Sequence, residues 1–259
     1  MAITLRSQRE IELMRRAGAV VADVLSKLQE DAEPGVTTAR LDKIAAEMAA
    51  DAGAQALFKG VHSPHARMPF PGTICASINE QVVHGIPSEN TKLKEGDILS
   101  IDFGVRLEGY CADAAITIGI GEVSQDNRRL MEVTKQVLCM AIAKAKPAVK
   151  WSEIAGQMQH CAESAGFSVV KEFVGHGIGR KMHEEPRVPN FVSDELLAND
   201  IVLTEGMVLA VEPMINAGSS AVRTLKNGWT VVTKDGKCSA HFEHTIAIVE
   251  NGCQVLTAK

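Results

Sequence analysis

Long apolar runs, an excess of basic residues and paired cysteines are all missing from this 259-residue sequence. Because no stretch of about 18 apolar residues occurs and the first residues lack the apolar core of a secretory signal, we expect a cytoplasmic protein that does not cross a membrane. The formal net charge of −5 argues against a protein that binds nucleic acid mainly through its phosphates. With 46% hydrophobic and 23% charged residues, the chain can instead bury a full hydrophobic core.

The six cysteines are scattered along the chain, and no two of them form a C-x-x-C pair. Their spacing therefore shows neither a zinc finger nor a disulfide framework. We expect reduced thiols, most of them small core residues, although Cys75 could line a pocket.

The first half of the chain is predicted to contain two helices followed by strands. A capping-box pattern at 7–10 predicts a helix that reaches about Glu30, and a second helix is predicted from Thr37 or Thr38 to Gly53. Extended and turn-rich sequence then leads to a pair of strands at 98–120, which is where the first half ends.

The second half repeats this order. A helix is predicted around 130–141, another is predicted to open at Ser152 and to close at Gly166, and strands follow. Such a repeat is what an ancient duplication leaves, with halves of about 1–122 and 123–259. Because no linker separates the halves, we expect one domain of the α+β class.

Two aspartates, Asp102 and Asp113, lie on the predicted strands that a tight turn at Glu108 and Gly109 connects. In a hairpin with a two-residue loop, both carboxylates project from the same face, either directly opposed or offset along the diagonal. Like charges this close repel each other, which makes sense if they share a cation. The alternative is that one of them is a solvated acid near the turn.

Three histidines, His84, His176 and His183, lie in segments that contain glycine or proline, where the backbone can pass close to a ligand. His183 does not open an H-E-x-x-H zinc helix, because Pro186 stops the turn that would supply the second ligand. A single loop histidine is more often a surface residue, but three of them beside buried acids indicate a site. His241 is predicted to line the same cleft.

Two glutamates, Glu212 and Glu243, lie at the end or in the body of apolar strand sequences. An unpaired carboxylate there costs several kcal/mol unless a cation or hydrogen bonds compensate it. A buried ion pair is the alternative, but Lys and Arg are sparse in these segments. Four carboxylates and one imidazole, from Asp102, Asp113, His176, Glu212 and Glu243, therefore indicate two cations and a hydrolytic site.

A series of short segments occurs in order along nearly the whole chain: HGIP at 84–87, IDFG at 101–104, AD at 112–113, GHGIG at 175–179, HEEP at 183–186, VEPM at 211–214 and FEHT at 242–245. In this combination they resemble the motifs of type I methionine aminopeptidase. The resemblance implies the pita-bread fold, in which two pseudo-symmetric halves hold a metal site between them. It also implies removal of the initiator methionine from chains and peptides with a small second residue.

The resemblance further implies two divalent cations, which could be Co, Mn, Fe(II) or Zn. Asp113, His176, Glu212 and Glu243 would hold one ion, and Asp102, Asp113 and Glu243 the other. A hydroxide that bridges the ions would attack the first peptide bond, and Glu212 would also accept a proton. His84 would contact the scissile amide, and His183 would contact the carbonyl oxygen.

An apolar pocket for the methionine side chain is implied at the matching positions Phe58, Val61, Phe70, Cys75, Met182 and Trp229. Val61 and Met182 stand where aromatic residues are common in the family, and the loop at 61–71 looks longer than usual. A monovalent cation, Na or K, is implied at the positions that match Asn79, Gln81 and Ser239.

The resemblance implies that the partners are nascent polypeptide N-termini, with transient contact to the ribosome, and we expect a monomer. We expect neither a zinc-binding extension before the first helix nor the long insertion typical of type II enzymes. An aminopeptidase P or prolidase would share the five ligands but act beside proline, usually with an additional N-terminal domain. A binding module that has lost catalysis would have lost ligands.

Overall fold

The computed structural model describes residues 3–259. Its helices are α1 (Gln8–Asp31), α2 (Thr38–Asp51), α3 (Gln125–Lys144), α4 (Trp151–Ser164) and α5 (Asp194–Ala198). Its strands are β1 (Gln55–Ala56), β2 (Cys75–Ile78), β3 (Gln81–Val83), β4 (Ile98–Leu107), β5 (Tyr110–Gly119), β6 (Ser168–Val169), β7 (Gly175–Gly177), β8 (Glu184–Val188), β9 (Val208–Val211), β10 (Met214–Asn216), β11 (Val222–Thr224), β12 (Val231–Thr233), β13 (Ser239–His241), β14 (Glu243–Val249) and β15 (Gly252–Val255). Within the described range, none of the helices has the length and apolar character needed to cross a bilayer.

The first two helices begin where the sequence predicts. Ser7 caps α1: the Glu10 amide donates to its hydroxyl, and the Glu10 carboxylate accepts from the Ser7 amide at 2.9 Å. These two bonds complete the predicted capping box. The Thr37 hydroxyl accepts from the Arg40 amide at 3.2 Å and so caps α2.

The start of α4 differs from the prediction that Ser152 opens it. The helix begins at Trp151, and the preceding Lys150 makes no side-chain cap. Asp200, distant in sequence, supplies the missing acceptor: its carboxylate accepts from the Ser152 amide at 3.1 Å and from the Ser152 hydroxyl at 2.6 Å. The helix is therefore capped through tertiary structure, which a local pattern cannot reveal.

A large antiparallel sheet runs through both halves. Its main path follows the order β1-β4-β5-β14-β9-β7-β8, with β2 added to β4 and β15 added to β14. The smaller sheets β13-β10-β6 and β11-β12-β3 flank it. The hairpin β4–β5 comes from the first half and β14 and β9 from the second, so the β5–β14 contact joins the halves.

Strands β5 and β14 meet in a locally twofold arrangement. They pair directly at two positions, where Ala114 and Ala115 lie opposite β14. On each side of these two pairs, a threonine hydroxyl hydrogen-bonds to the backbone of the facing segment. Thr245 Oγ1 accepts from the Asp113 amide at 3.0 Å and donates to its carbonyl at 2.8 Å. Thr117 Oγ1 makes the same two bonds with His241, at 2.8 and 2.7 Å. This symmetry supports the interpretation of two repeated halves.

Helices cover one face of the central hairpin and leave the other face to the cleft. Along β4, the side chains of Ile101 and Phe103 pack into a buried cluster that includes residues of α1 and α2. Because side chains alternate along a strand, Asp102 projects from the opposite face. A second buried cluster, around Trp151 and Met158 of α4, covers the second half in the same way.

Candidate metal centre and substrate cleft

The β4–β5 hairpin brings the two aspartates together along the diagonal. Asp102 lies opposite Ala115 and Asp113 opposite Gly104, so the offset alternative for the register is the one adopted. The turn between the strands has φ of 51° at Glu108 and 84° at its glycine, as a tight two-residue hairpin loop requires. A Cβ on Gly104 would lie 3.0 Å from Asp113 Oδ1, so the glycine leaves room for that carboxylate.

The second half supplies the other three predicted ligands. Glu243 opens β14 opposite Ala115, and Glu212 directly follows β9. His176 lies in the middle of β7, paired with β9. One ligand atom from each of Asp113, His176 and Glu243 lies within 4.8 Å of the other two. The structure thus gathers residues that are more than 100 positions apart in sequence.

The tautomer of His176 is fixed by a neighbouring residue of its own strand. Its Nδ1 lies 3.0 Å from the carbonyl oxygen of Gly177, so Nδ1 carries the proton and Nε2 presents a lone pair. Nε2 lies 3.6 Å from Glu212 Oε1. Two lone pairs that face each other across this gap repel unless a cation lies between them. A Cβ on Gly177 would collide with the Glu185 carbonyl, which explains the glycine beside the histidine.

Burial and crowding make the four carboxylates costly as bare anions. Desolvation, followed by repulsion from Asp113, raises the pKa values of Asp102, Glu212 and Glu243 well above their usual range. Desolvation raises the pKa of Asp113 to about 7. One buried oxygen each of Asp102, Asp113 and Glu243 has no hydrogen-bond partner.

These orphaned oxygens and the lone pair of His176 fit a divalent cation site. Oxygen ligands with one imidazole suit Mn, Fe(II), Co or Zn. The alternatives drawn from the sequence are wrong. Asp113 is only 2% exposed, and Asp102 is half-buried with one oxygen fully buried, so neither is a solvated acid. Over residues 3–259, no Lys or Arg forms an ion pair with any of the four carboxylates.

Beside the carboxylates lies a cavity of about 680 Å³. All six residues predicted for the methionine pocket line it: Phe58, Val61, Phe70, Cys75, Met182 and Trp229. Phe58, Phe70 and Cys75 are buried and form one apolar cluster, against which Met182 and Trp229 pack. Val61 is 42% exposed and lies at the rim. The same cavity is lined by Asp102, His84, His176, His183 and Glu212.

The loop at 61–71 closes against the pocket. The Gly60 amide donates to the Phe70 carbonyl, and the Phe70 amide donates to the Val61 carbonyl, both at 2.8 Å. The Trp229 indole donates to the Met68 carbonyl at 2.9 Å. The loop therefore forms an outer wall of the cavity, with the Met68 side chain exposed.

Sequence reasoning missed further residues of the cavity. Leu57 and Phe173 contribute apolar surface, and five charged residues also line the cavity: Arg106, Glu172, Glu184, Glu185 and Arg187. Phe173 stacks edge-on against His84 with ring centroids 5.6 Å apart. The chain has only seven Phe, two Trp and one Tyr. An aromatic residue three positions before His176 could therefore have indicated that Phe173 belongs to the cleft.

The two predicted catalytic histidines face the cavity as neutral rings. His84 has a φ of 58°, and burial, followed by the charge of His183, lowers its pKa to about 4. His183 is exposed to the cleft, but the cleft walls still desolvate it and lower its pKa. Its ring lies 4.4 Å from that of His176. Each neutral ring can donate one N–H toward a substrate.

Two of the three residues implied for a monovalent cation meet. The Ser239 amide donates to the Asn79 carbonyl at 2.8 Å, while Gln81 pairs with Val232 on the neighbouring strand. Asn79 has a φ of 54°, which turns the backbone at this point. The cation itself stays a prediction.

Comparison with known proteins identifies the family of this chain. The model of metallopeptidase family M24 matches residues 12–250. A methionine aminopeptidase of Clostridium perfringens is 47% identical over 255 residues, which cover 98% of each chain. The methionine aminopeptidase of Escherichia coli (strain K12) is 40% identical over 260 residues, covering 100% of this chain and 95% of the relative.

Solved structures agree as well. The methionine aminopeptidase of Thermotoga maritima superposes with a TM-score of 0.93 at 38% identity, covering 100% of both chains. A prolidase of Pyrococcus furiosus superposes with a TM-score of 0.74 at 20% identity, over 98% of this chain and 65% of that one, which shows the shared fold alone. The expected α+β pita-bread fold is thereby confirmed. From the family match and these full-length relatives, the chain belongs to metallopeptidase family M24 and, within it, to the methionine aminopeptidases.

Proposed function

We propose that this cleft removes the initiator methionine from nascent chains and peptides whose second residue is small. The observation that carries the proposal is the position of the unpartnered carboxylate oxygens of Asp102, Asp113 and Glu243 beside a cavity with an apolar end. An aminopeptidase needs this juxtaposition, because the pocket must hold one side chain while the first peptide bond lies at the reacting group. Full-length relatives named methionine aminopeptidase support the choice of side chain.

We propose two divalent cations among the five ligands. Asp113, His176, Glu212 and Glu243 would hold one, and Asp102, Asp113 and Glu243 the other, so that Asp113 and Glu243 would contribute to both. When bound, such ions supply Lewis acidity at the scissile carbonyl and make water a nucleophile at neutral pH. Activity of the protein reloaded with each metal ion distinguishes among Co, Mn, Fe(II) and Zn.

The protein side chains have separate tasks in this proposal. His183, with a neutral ring exposed to the cleft, donates its N–H to the carbonyl oxygen, where negative charge develops. His84, held edge-on by Phe173, contacts the scissile amide. Glu212 accepts the proton of the attacking water and passes it to the leaving amine.

The apolar end of the cavity would hold the methionine side chain. Phe70 and Trp229 meet edge to face with ring centroids 5.2 Å apart and form a rigid aromatic wall. Met182 and Cys75 contribute polarisable sulfur, which packs well against a thioether. Val61, at the rim, takes the position where the family often has an aromatic residue.

The remaining expectations belong to the same proposal. The substrates would be the N-termini of new chains in the cytoplasm, met during transient contact with the ribosome, and the protein would act as a monomer. A monovalent cation, Na or K, near Asn79, Gln81 and Ser239 would stabilise the turn beside β3.

The test is release of free methionine by metal-stripped protein reloaded separately with Mn, Fe(II), Co and Zn. Met-Ala-Ser and a Met-Pro peptide serve as substrates, and Ala-Pro-Ala serves as the control. We expect metal-dependent release from the methionine peptides alone, which also ranks the metals.

Two results would contradict the proposal. Cleavage of Ala-Pro-Ala alone would favour a proline-directed enzyme of the same fold. If no metal supports methionine release although the protein still binds divalent ions, the result would favour a binding module that has lost catalysis.

A further inference from the structure

His241 is a buried imidazole with an unused nitrogen beside the metal centre. It is the last residue of β13, and only 2% of it is exposed. Its Nε2 has no hydrogen-bond partner and lies 3.7 Å from Glu212 Oε2. A buried nitrogen without a partner is costly, so its orientation toward a carboxylate needs an explanation.

The backbone of His241 holds the ring in this place. Thr117 Oγ1 accepts from the His241 amide and donates to its carbonyl, and Ser100 Oγ lies 2.8 Å from the same hydroxyl. His241 also pairs with Met214 on β10. Strand contacts therefore fix the backbone of His241, and the ring is buried beside Glu212.

Glu212 lies between two imidazoles with different roles. Its Oε1 faces the lone pair of His176 Nε2 at 3.6 Å, where a cation fits. Its Oε2 faces His241 on the other side. The backbone carbonyl of Glu212 accepts from Asn190 Nδ2 at 3.1 Å, so the main chain is fixed and only the carboxylate can turn.

We infer that His241 is a positioning residue whose Nε2–H donates to Glu212 Oε2 and so turns Oε1 toward the cation beside His176. A rotation of the carboxylate that shortens the 3.7 Å gap by about 0.8 Å gives an ordinary hydrogen bond. The bond satisfies two buried atoms at once and holds the ligand in its binding orientation. The inference rests on the proposed metal site and adds a residue outside the five ligands and two catalytic histidines.

The test compares two substitutions of the same residue. His241→Leu removes the donor but keeps a buried apolar side chain, whereas His241→Gln keeps an N–H donor. Mn²⁺ affinity of the metal-stripped proteins is measured by calorimetry, and kcat and KM are measured with Met-Ala-Ser. His160→Leu, on the exposed surface of α4, is the matched control.

We expect His241→Leu to weaken Mn²⁺ binding about 10- to 100-fold and to lower kcat more than it changes KM. His241→Gln should recover most of both losses, and the control should match the wild type. If the glutamine variant fails as badly as the leucine variant, His241 binds the ion directly and the inference is overturned. Unchanged Mn²⁺ affinity in His241→Leu would overturn it as well.

A spectroscopic measurement on the wild type does not depend on how the variants fold. Long-range ¹H–¹⁵N correlation spectra of ¹⁵N-histidine-labelled, metal-stripped protein report the tautomer of each ring, and the signal lost in His241→Gln assigns His241. We expect the Nε2–H tautomer, and the Nδ1–H tautomer would contradict the inference. If the wild type releases no methionine but His241→Leu still weakens Mn²⁺ binding, the proposed function fails and this inference stands.

Discussion

Asp113 combines three properties that single residues seldom share: it is buried, it lies diagonally across a hairpin from Asp102, and its Oδ1 has no hydrogen-bond partner. Its backbone, by contrast, is fully bonded to Thr245. The fold therefore holds the carboxylate in position, but residues 3–259 supply neither a hydrogen bond to Oδ1 nor a basic side chain that would compensate its charge, as the proposed cation would. In the metal-stripped protein this arrangement should be visible as a dependence of stability on pH.

The sign of that dependence follows from the raised pKa. Below about pH 4 the Asp113 carboxyl is protonated in both the folded and the unfolded protein. Between pH 4 and about 7 this carboxyl ionises in the unfolded chain but stays protonated in the folded one. Asp113 therefore contributes stability at low pH that is lost as the pH rises through this range. His84, His176 and His241 act in the opposite direction, because their lowered pKa values favour the folded state at higher pH.

Comparison of the metal-stripped wild type with Asp113→Asn isolates the contribution of this one carboxyl. We expect the variant to gain stability relative to the wild type as the pH rises from 4 to 7.5, measured by urea unfolding at each pH. A difference in unfolding free energy that does not change with pH would show that Asp113 is not held in an unfavourable environment.

At the residue scale, the polar residues of the cleft could be predicted from the sequence because they lie in apolar segments. The apolar residues of the cleft could not be predicted in this way. A carboxylate in a strand such as 98–103 stands out because its burial needs compensation. Leu57 and Phe173 do not stand out, since an apolar residue that lines a cavity follows the same pattern as one in the core. The role of His241 also depends on a distance that no local pattern contains.

Among the elements, α4 depends on a cap that comes from outside the helix. Asp200→Ala removes the acceptor for the Ser152 amide and hydroxyl, so we expect the free energy of unfolding to fall by about 1 kcal/mol. Urea unfolding measures the change, with Asp23→Ala on the exposed surface of α1 as the control. If Asp200→Ala loses no more stability than the control, the tertiary cap is unimportant.

Strand β4 contains a glycine that leaves room for a carboxylate of the proposed metal centre. Gly104→Ala places a Cβ 3.0 Å from Asp113 Oδ1, so the carboxylate must shift. We expect at least about tenfold weaker Mn²⁺ binding, as is usual when the orientation of a ligand is disturbed. Gly156→Ala, in the interior of α4, should leave Mn²⁺ affinity unchanged. Equal affinities in calorimetry would mean that the site tolerates the displaced carboxylate.

Helices and turns could be predicted where the residues that determine them are close together in the sequence. The capping box of α1 and the turn between β4 and β5 lie within a few residues, so both were found from the sequence. The hairpin register was limited to two choices, and only the structure selected the diagonal one. The start of α4 was misplaced because its cap lies 48 residues away.

For the molecule as a whole, the repeat of two halves was visible in the order of helices and strands but not in the similarity of their amino-acid sequences. The threonine bridges at Thr117 and Thr245 now relate the halves through the β5–β14 contact. The residues at other paired positions need not be similar, because each half supplies different proposed ligands: Asp102 and Asp113 from one, His176 and two glutamates from the other. Divergence of the site therefore hid the symmetry from sequence comparison.

The expected single domain, 1–259, stays a prediction that unfolding can test. Ile116 packs against the apolar clusters of both halves, and the ligands come from both, so the halves should unfold together. We expect one calorimetric transition in the metal-stripped protein, with equal calorimetric and van't Hoff enthalpies. Two resolved transitions would show that the halves are separate folding units.

The central claim is that buried carboxylates of both halves hold divalent cations that the peptidase activity requires. Its most direct test is Mn²⁺ titration of metal-stripped wild type and Asp113→Ala, with methionine release from Met-Ala-Ser measured on the same samples. We predict about two ions per wild-type chain, and in Asp113→Ala loss of both ion binding and methionine release. Asp23→Ala is the control and should match the wild type. Full methionine release by an Asp113→Ala protein, or by a chain that holds no divalent ion, would contradict the account.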